Sequence, residues 1–236
     1  MNEIKLVDEG AESAQGTYTY FLNDEPAHIE EPWSIFDYLD GRRVTRAARA
    51  VATAGAYILL EATERNGRIS EFEIQWRHNG PHAARRAHAH YHIKPDAVLI
   101  ERKIEEREPL REQLTVSADL IVSPLMRVFQ GRVIRQAARL GGGQPVSVLA
   151  PWILDPSNRE LLLSGILDHR SAKALGAEVV TIGERTYHTE KYQYVGGNYD
   201  DAAEFWIDAH DILLRYCWRQ DANKLWDVRL TEYERK

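Results

Sequence analysis

Residues 187–233, YHTEKYQYVGGNYDDAAEFWIDAHDILLRYCWRQDANKLWDVRLTEY, alternate polar side chains with rings and branched aliphatics. Turn sequences cut the stretch at Val195-Gly196-Gly197-Asn198 and at Gln220-Asp221-Ala222-Asn223. A period of two in strand-favouring residues reads as antiparallel strands, with Trp226, Val228 and Leu230 turned inward. Such a meander needs more sheet beside it to bury its apolar face.

The first half supplies that sheet. Gly16 to Leu22 sets Tyr18 and Tyr20 on one face against Thr17, Thr19 and Phe21 on the other. Residues 29–41 are apolar, carry Pro32 and end in an Asp40-Gly41 turn. Residues 42–53 are open between two readings. Arg42, Arg46 and Arg49 share a helix face, yet Gly41 and Gly55 equally bound a strand. Ala56–Ala62 and Ile69–Trp76 form a hairpin across Asn66-Gly67. HNGPH (78–82) is a further turn, and 87–93, 98–106 and 114–122 read as more strands. Even spacing of this kind marks a sandwich or barrel rather than βαβ units.

The centre breaks the rhythm. Ser123 suits a helix cap and Pro124 the first helical position. Met126, Phe129, Val133, Ala137 and Leu140 then make an apolar stripe, and Gly141-Gly142-Gly143 stops it, so a helix is expected over about 124–140. Residues 145–154 read as a strand. Asp155-Pro156 reads as a second helix start, with helical character over 158–175 ending at Gly176, and 178–183 as a strand. The expected fold is mainly β: a curved antiparallel sheet or barrel, lipocalin-like or half-barrel, with one or two inserted helices. No linker divides residues 1–236, so one domain is expected, with 1–15 flexible.

Net charge is −6 and the pI about 5.9, which argues against a broad nucleic-acid footprint. Cys217 is the only cysteine, which excludes an intrachain disulfide and suits a reducing compartment. No run reaches the ~20 apolar residues of a membrane span, and residues 1–15 are polar. A cytoplasmic location is the expectation. G-x-S-x-G, P-loop, H-E-x-x-H and G-x-G-x-x-G motifs are absent, and the glycine run follows a helix instead of opening one.

Three constellations remain. His88, His90 and His92 stand in a row on one strand face, the spacing that can hold a divalent metal with a ligand from a neighbouring strand. Arg85 and Arg86 work against a cation there, and the plain alternative turns Ala89, Tyr91 and Ile93 to the core with the imidazoles in solvent. The plain alternative is favoured, with no metal or organic cofactor expected. His188, Glu190, Tyr192 and Tyr194 share a face of a later strand, groups that suit proton transfer on a small organic molecule. Trp206 with Asp208, and Arg215 with Cys217, pose the same question of facing on the next strands. Asp119 can pair with Arg127 to hold the helix to the sheet, or Arg127 can fork onto a carboxylate or phenolate ligand. Asp155 is expected as a helix cap.

The curved strands with a helix inserted midway, and the segments AEFWID (203–208), LLRYCW (213–218) and WDVRLTEYE (226–234), resemble uncharacterised bacterial half-barrel families. Those families are similar to outer-membrane lipoprotein carriers and lipocalin-like barrels. The resemblance covers about residues 110–236 and implies a curved antiparallel sheet clasping a helix around an apolar cavity. It transfers no catalytic residues. Two functions follow. One is a cofactor-independent lyase, isomerase or hydratase acting on a small apolar or aromatic substrate. In it Tyr192, Tyr194 or His188 moves the proton, Arg127 stabilises negative charge, and Trp206, Asp119, Phe129 and Trp152 contact the ligand. The other is a non-catalytic binding or carrier protein for a small hydrophobic molecule. A homo-oligomer is left open.

Overall fold

The computed structural model describes residues 10–80, 86–200 and 202–236. Arg85 and the end of the turn expected over 78–82 lie outside them. A single 15-stranded sheet runs through the described residues in the order β8-β7-β6-β5-β4-β3-β2-β1-β15-β14-β13-β12-β11-β10-β9. The strands are β1 Ala11–Leu22, β2 Glu25–Asp37, β3 Arg42–Val51, β4 Ala56–Arg65, β5 Arg68–His78, β6 Arg86–Ile93, β7 Ala97–Ile104 and β8 Leu110–Thr115. After the centre come β9 Ile121–Val122, β10 Val146–Pro151, β11 Gly165–Ile182, β12 Arg185–Val195, β13 Glu204–Asp208, β14 Leu213–Asp221 and β15 Lys224–Arg235. Every pairing is antiparallel except the short β9–β10 contact. The first and last strands, β1 and β15, join the two meanders. The ends β8 and β9 do not pair, so the sheet curves without closing: the half-barrel form of the expected fold.

One face of the sheet is apolar. Tyr18, Phe72, Ile74, Tyr91, Ile100, Tyr194, Phe205 and Val228 are buried there in one continuous core. The helix α1, Gln130–Gly141, lies against that face and buries Val133, Ile134 and Ala137. It starts later than the Ser123-Pro124 signal implied. Ser123 gives its N–H to Leu149 O on β10, and a 3-10 turn over Arg127–Phe129 precedes the helix. Gly142 closes it with a left-handed φ of 55°. Leu140, expected on the buried stripe, is exposed, and Ile134 takes its place.

The ambiguous 42–53 segment is strand, and the second helix does not form. Residues 158–163 fold as turns because their carbonyls have partners from the sheet: Arg102 Nη1 donates to Glu160 O (3.0 Å) and Leu162 O (2.9 Å), and Tyr91 Oη to Leu163 O (2.5 Å). From Gly165 the chain pairs with β10 and then β12, so the rest of the expected helix is the long strand β11. The expected strand over 114–122 is divided between the end of β8 and β9. Asp155 caps a turn, not a helix, accepting from the Ser157 N–H (2.9 Å) and hydroxyl (2.6 Å).

Candidate functional site

Strand pairing sends two charged residues to the apolar face. In β2, Glu31 falls on the side of Ile29 and Trp33, and it is fully buried. In β3, Arg46 faces outward to Glu61, while Arg49 sits three residues on and faces inward. Arg49 Nε lies 2.7 Å from Glu31 Oε2, and the Tyr20 hydroxyl donates to the same oxygen at 2.8 Å. The other Glu31 oxygen accepts from the Arg127 backbone N–H at the start of the 3-10 turn. One carboxylate therefore ties β1, β2 and β3 to the segment that leads into α1.

The Arg127 side chain continues past this knot. Its Nε donates to the Tyr20 hydroxyl (3.1 Å) and its Nη1 to the Tyr199 hydroxyl (2.6 Å), and it stacks over the Tyr216 ring at 4.8 Å. Among the described residues no carboxylate is paired with this guanidinium. Burial works against its charge, but the oxygens of Tyr199, Tyr216 and Tyr20 and the Glu31 carboxylate hold it protonated well above the ordinary range. A second arginine, Arg170 on β11, bonds Asp168 (3.0 Å) and the Tyr194 hydroxyl (3.1 Å).

These groups form one wall of an open cleft of about 910 Å³. Its remaining lining is mainly apolar, with Trp152, Ile153, Leu154, Trp218 and Trp226 the bulkiest, and is interrupted by the polar side chains of Ser123, Gln130, Asn198 and Gln220. The Trp218 indole N–H has no hydrogen-bond partner among the described residues, and the Gln130 side-chain amide, on a residue 5% exposed, lies beside the Tyr194 hydroxyl. Three guanidiniums (Arg49, Arg127, Arg170) face two carboxylates (Glu31, Asp168), which leaves one positive charge in surplus. The protons of Tyr20 and Tyr216 are tightly held. Burial pushes Tyr20 up to about 12, with Arg49 opposing, and Tyr216 goes well above its usual value for the same first reason.

Of the residues singled out from sequence, Arg127 and Trp152 line the cleft, and Tyr194 reaches it through Arg170. The others lie elsewhere. His188 is exposed, opposite Val179 on β11. Tyr192 is buried, but its hydroxyl bonds Glu190 beside Arg135. His188 and Tyr194 share a face of β12, yet six residues of strand put them ~20 Å apart. Trp206 sits on the opposite face of β13 from the core residues Phe205 and Ile207, giving its N–H to Glu178 under Lys191 Nζ (4.9 Å from the ring). Asp119 is exposed in a different cleft with Arg68 and Arg132 and does not meet Arg127. Phe129 is core. Arg215 pairs with Asp227 (2.8 Å), and burial pushes the Cys217 thiol up to about 11.

The fold has a counterpart among solved structures. A crystal structure described as a β-barrel-like protein of a domain of unknown function, DUF1849, from Brucella abortus superposes with a TM-score of 0.52 at 8% identity, covering 97% of this chain and 99% of that one. A DUF1329 family protein from Desulfovibrio piger ATCC 29098 matches at 8% identity over 98% of this chain and 88% of that one, with a TM-score of only 0.26. No family model matches, and no curated protein does. The likeness is one of fold. Among the described residues no helix is long and apolar enough to cross a membrane.

Proposed function

We propose that the protein binds a single amphipathic anion in this cleft, an apolar or aromatic body carrying one carboxylate-sized head. The observation that carries the reading is Arg127: a guanidinium hydrogen-bonded to phenols, with no carboxylate paired to it among the described residues, opening onto a cleft rich in tryptophan and aliphatic side chains. Guanidinium recognises a carboxylate through two parallel N–H bonds, and the unpartnered Trp218 N–H adds a neutral donor in the same lining. A volume of about 910 Å³ is in the range of small-molecule sites. Proton-transfer chemistry is supported less well. His188 is not at the cleft, and phenols with raised pKa values are weak acids at neutral pH. Binding or carriage is therefore preferred to a lyase or isomerase.

Trp152, Trp218 and Trp226 make the test direct, because a ligand in the cleft changes their emission. Titration with dodecanoate should saturate, and dodecanol should bind at least about tenfold more weakly, a difference of about 1.4 kcal/mol. Arg127→Met should erase that difference while leaving dodecanol affinity alone. Equal affinity of the unmodified protein for acid and alcohol, or binding of neither, would overturn the proposal.

A further inference from the structure

The outer face of the sheet carries an arrangement unrelated to the cleft. The strand β6 turns Ala87, Ala89 and Tyr91 into the core, so His88, His90 and His92 stand outward in a row. The neighbouring strand β5 is in register with them: Gln75 opposite His88, Glu73 opposite His90 and Glu71 opposite His92. Glu71 reaches across so that its Oε2 lies 3.7 Å from His90 Nε2 and 3.5 Å from His92 Nδ1. The two imidazole rings are 4.0 Å apart, centre to centre. All three donor atoms fall within 4.8 Å of one another.

We propose that Glu71, His90 and His92 form a binding site for a divalent transition cation of the zinc type, with solvent completing its coordination. Bonds of ~2.0–2.1 Å in a tetrahedral arrangement put donor atoms about 3.4 Å apart, and two of these three separations already lie within a few tenths of an ångström of that. Two imidazoles and one carboxylate are a donor set for zinc, copper or nickel rather than for calcium or magnesium. The strands supply the rigidity. Both histidines have their backbone fixed in the β5–β6–β7 ladder, with the ring of Tyr91 between them stacked on Phe72 at 4.1 Å on the core side. The surroundings also favour a cation. His90 is flanked across the ladder by Glu73 on β5 and Glu101 on β7 and His92 by Glu71 and Leu99, while Lys103 lies opposite His88 and Lys94 follows just past the end of β6. His88 is excluded from the site because its Nε2 is already engaged by Glu73 Oε1 at 2.9 Å. The ligands are only half-buried, so the site is open on the solvent side, and its cation exchanges freely.

The test is calorimetric titration of the untagged full chain, first stripped with a chelator, with zinc chloride at neutral pH. One equivalent should bind with micromolar affinity. His92→Ala and Glu71→Gln should each weaken it by tenfold or more, whereas His88→Ala should change it less than twofold. Cobalt offers a second readout, because visible absorption of its bound form reports tetrahedral coordination and should vanish in the His90→Ala protein. All four side chains are solvent-facing, so the variants should keep the circular dichroism of the unmodified protein. Absence of saturable binding would overturn the assignment, as would equal affinity in the His92→Ala and Glu71→Gln proteins. Loss of binding in His88→Ala alone would overturn this choice of ligands.

Discussion

Glu31 and Arg49, on neighbouring strands of the same apolar face, meet at 2.7 Å with the carboxylate wholly removed from solvent. The pair is the anchor of the cleft wall, since Glu31 also receives the Tyr20 hydroxyl and the Arg127 N–H. Removing one partner of a buried pair strands the other's charge, which typically costs about 3–5 kcal/mol. Glu31→Leu should therefore lower unfolding free energy by about that much in urea denaturation. Arg49→Met should do so to a similar degree. The double variant should be less destabilised than the two single losses taken together, because neither charge is left alone. A strictly additive double variant would refute the coupling.

Much of this arrangement is legible in the sequence. The alternation that turns Phe72, Ile74 and Trp76 inward also turns Glu31 inward between Ile29 and Trp33. A carboxylate on an apolar strand face is a signal in itself, since it demands a buried partner. Its partner was hidden because 42–53 fits a helix as well as a strand. Only the strand reading separates Arg46 from Arg49 and sends the latter to the core. The false helix over 158–175 has a different origin. Leucine spacing there is compatible with a helix, and what decides against it is long-range: Arg102 and Tyr91, about 60 to 70 residues earlier, take the carbonyls. Local patterning does not carry that information. The same limit applies to β12, where His188 and Tyr194 share a face but lie too far apart along the strand for one site.

The turn segment before β11 should depend on those distant donors. Tyr91→Phe leaves the buried Leu163 carbonyl without its hydrogen bond, at a residue whose φ of 59° already requires support. The expected loss is about 1–3 kcal/mol, the cost of an unsatisfied buried acceptor. Arg102→Met should cost more, since it frees two carbonyls and the Glu112 carboxylate at once. Limited proteolysis should show new cleavage within 155–164 in both proteins while β4 and β5 stay intact. Unchanged cleavage would mean that the segment holds its shape without the sheet.

Acid sensitivity should trace to Asp227. Burial alone would raise its carboxyl, but hydrogen bonds from Arg215 and Arg229 outweigh burial and hold it below the usual carboxylate range. A lowered folded-state pKa means stability that is present above the unfolded value of about 3.9 and is lost as pH falls through the folded value. Asp227→Asn should thus be less stable by about 2 kcal/mol at pH 7. The gap should stay constant down to about pH 5 and close below about pH 4. A gap that widened in acid would reverse the sign and remove Asp227 from this role.

Gly131 gives a prediction whose sign opposes the general rule. In the interior of an exposed helix, glycine to alanine stabilises by roughly 0.5–1 kcal/mol, because alanine has less backbone freedom to lose. Here the helix lies so close to the turn between β13 and β14 that a Cβ on Gly131 would overlap the Asp211 carbonyl and come within 3.0 Å of Leu213 N. That turn has little room to retreat. Asp211 holds a φ of 66°, its N–H and that of Ile212 are both committed to Asp208, and its carboxylate holds Arg135 of the helix at 2.8 Å. Gly131→Ala should therefore destabilise by about 1–3 kcal/mol, the range for forcing extra volume into a packed contact. The strain should also displace the first turn of the helix and, with it, Arg127. Dodecanoate affinity should then fall in Gly131→Ala, whereas Gly142→Ala, at the far helix end with open space around it, should lose stability through its positive φ and keep its affinity.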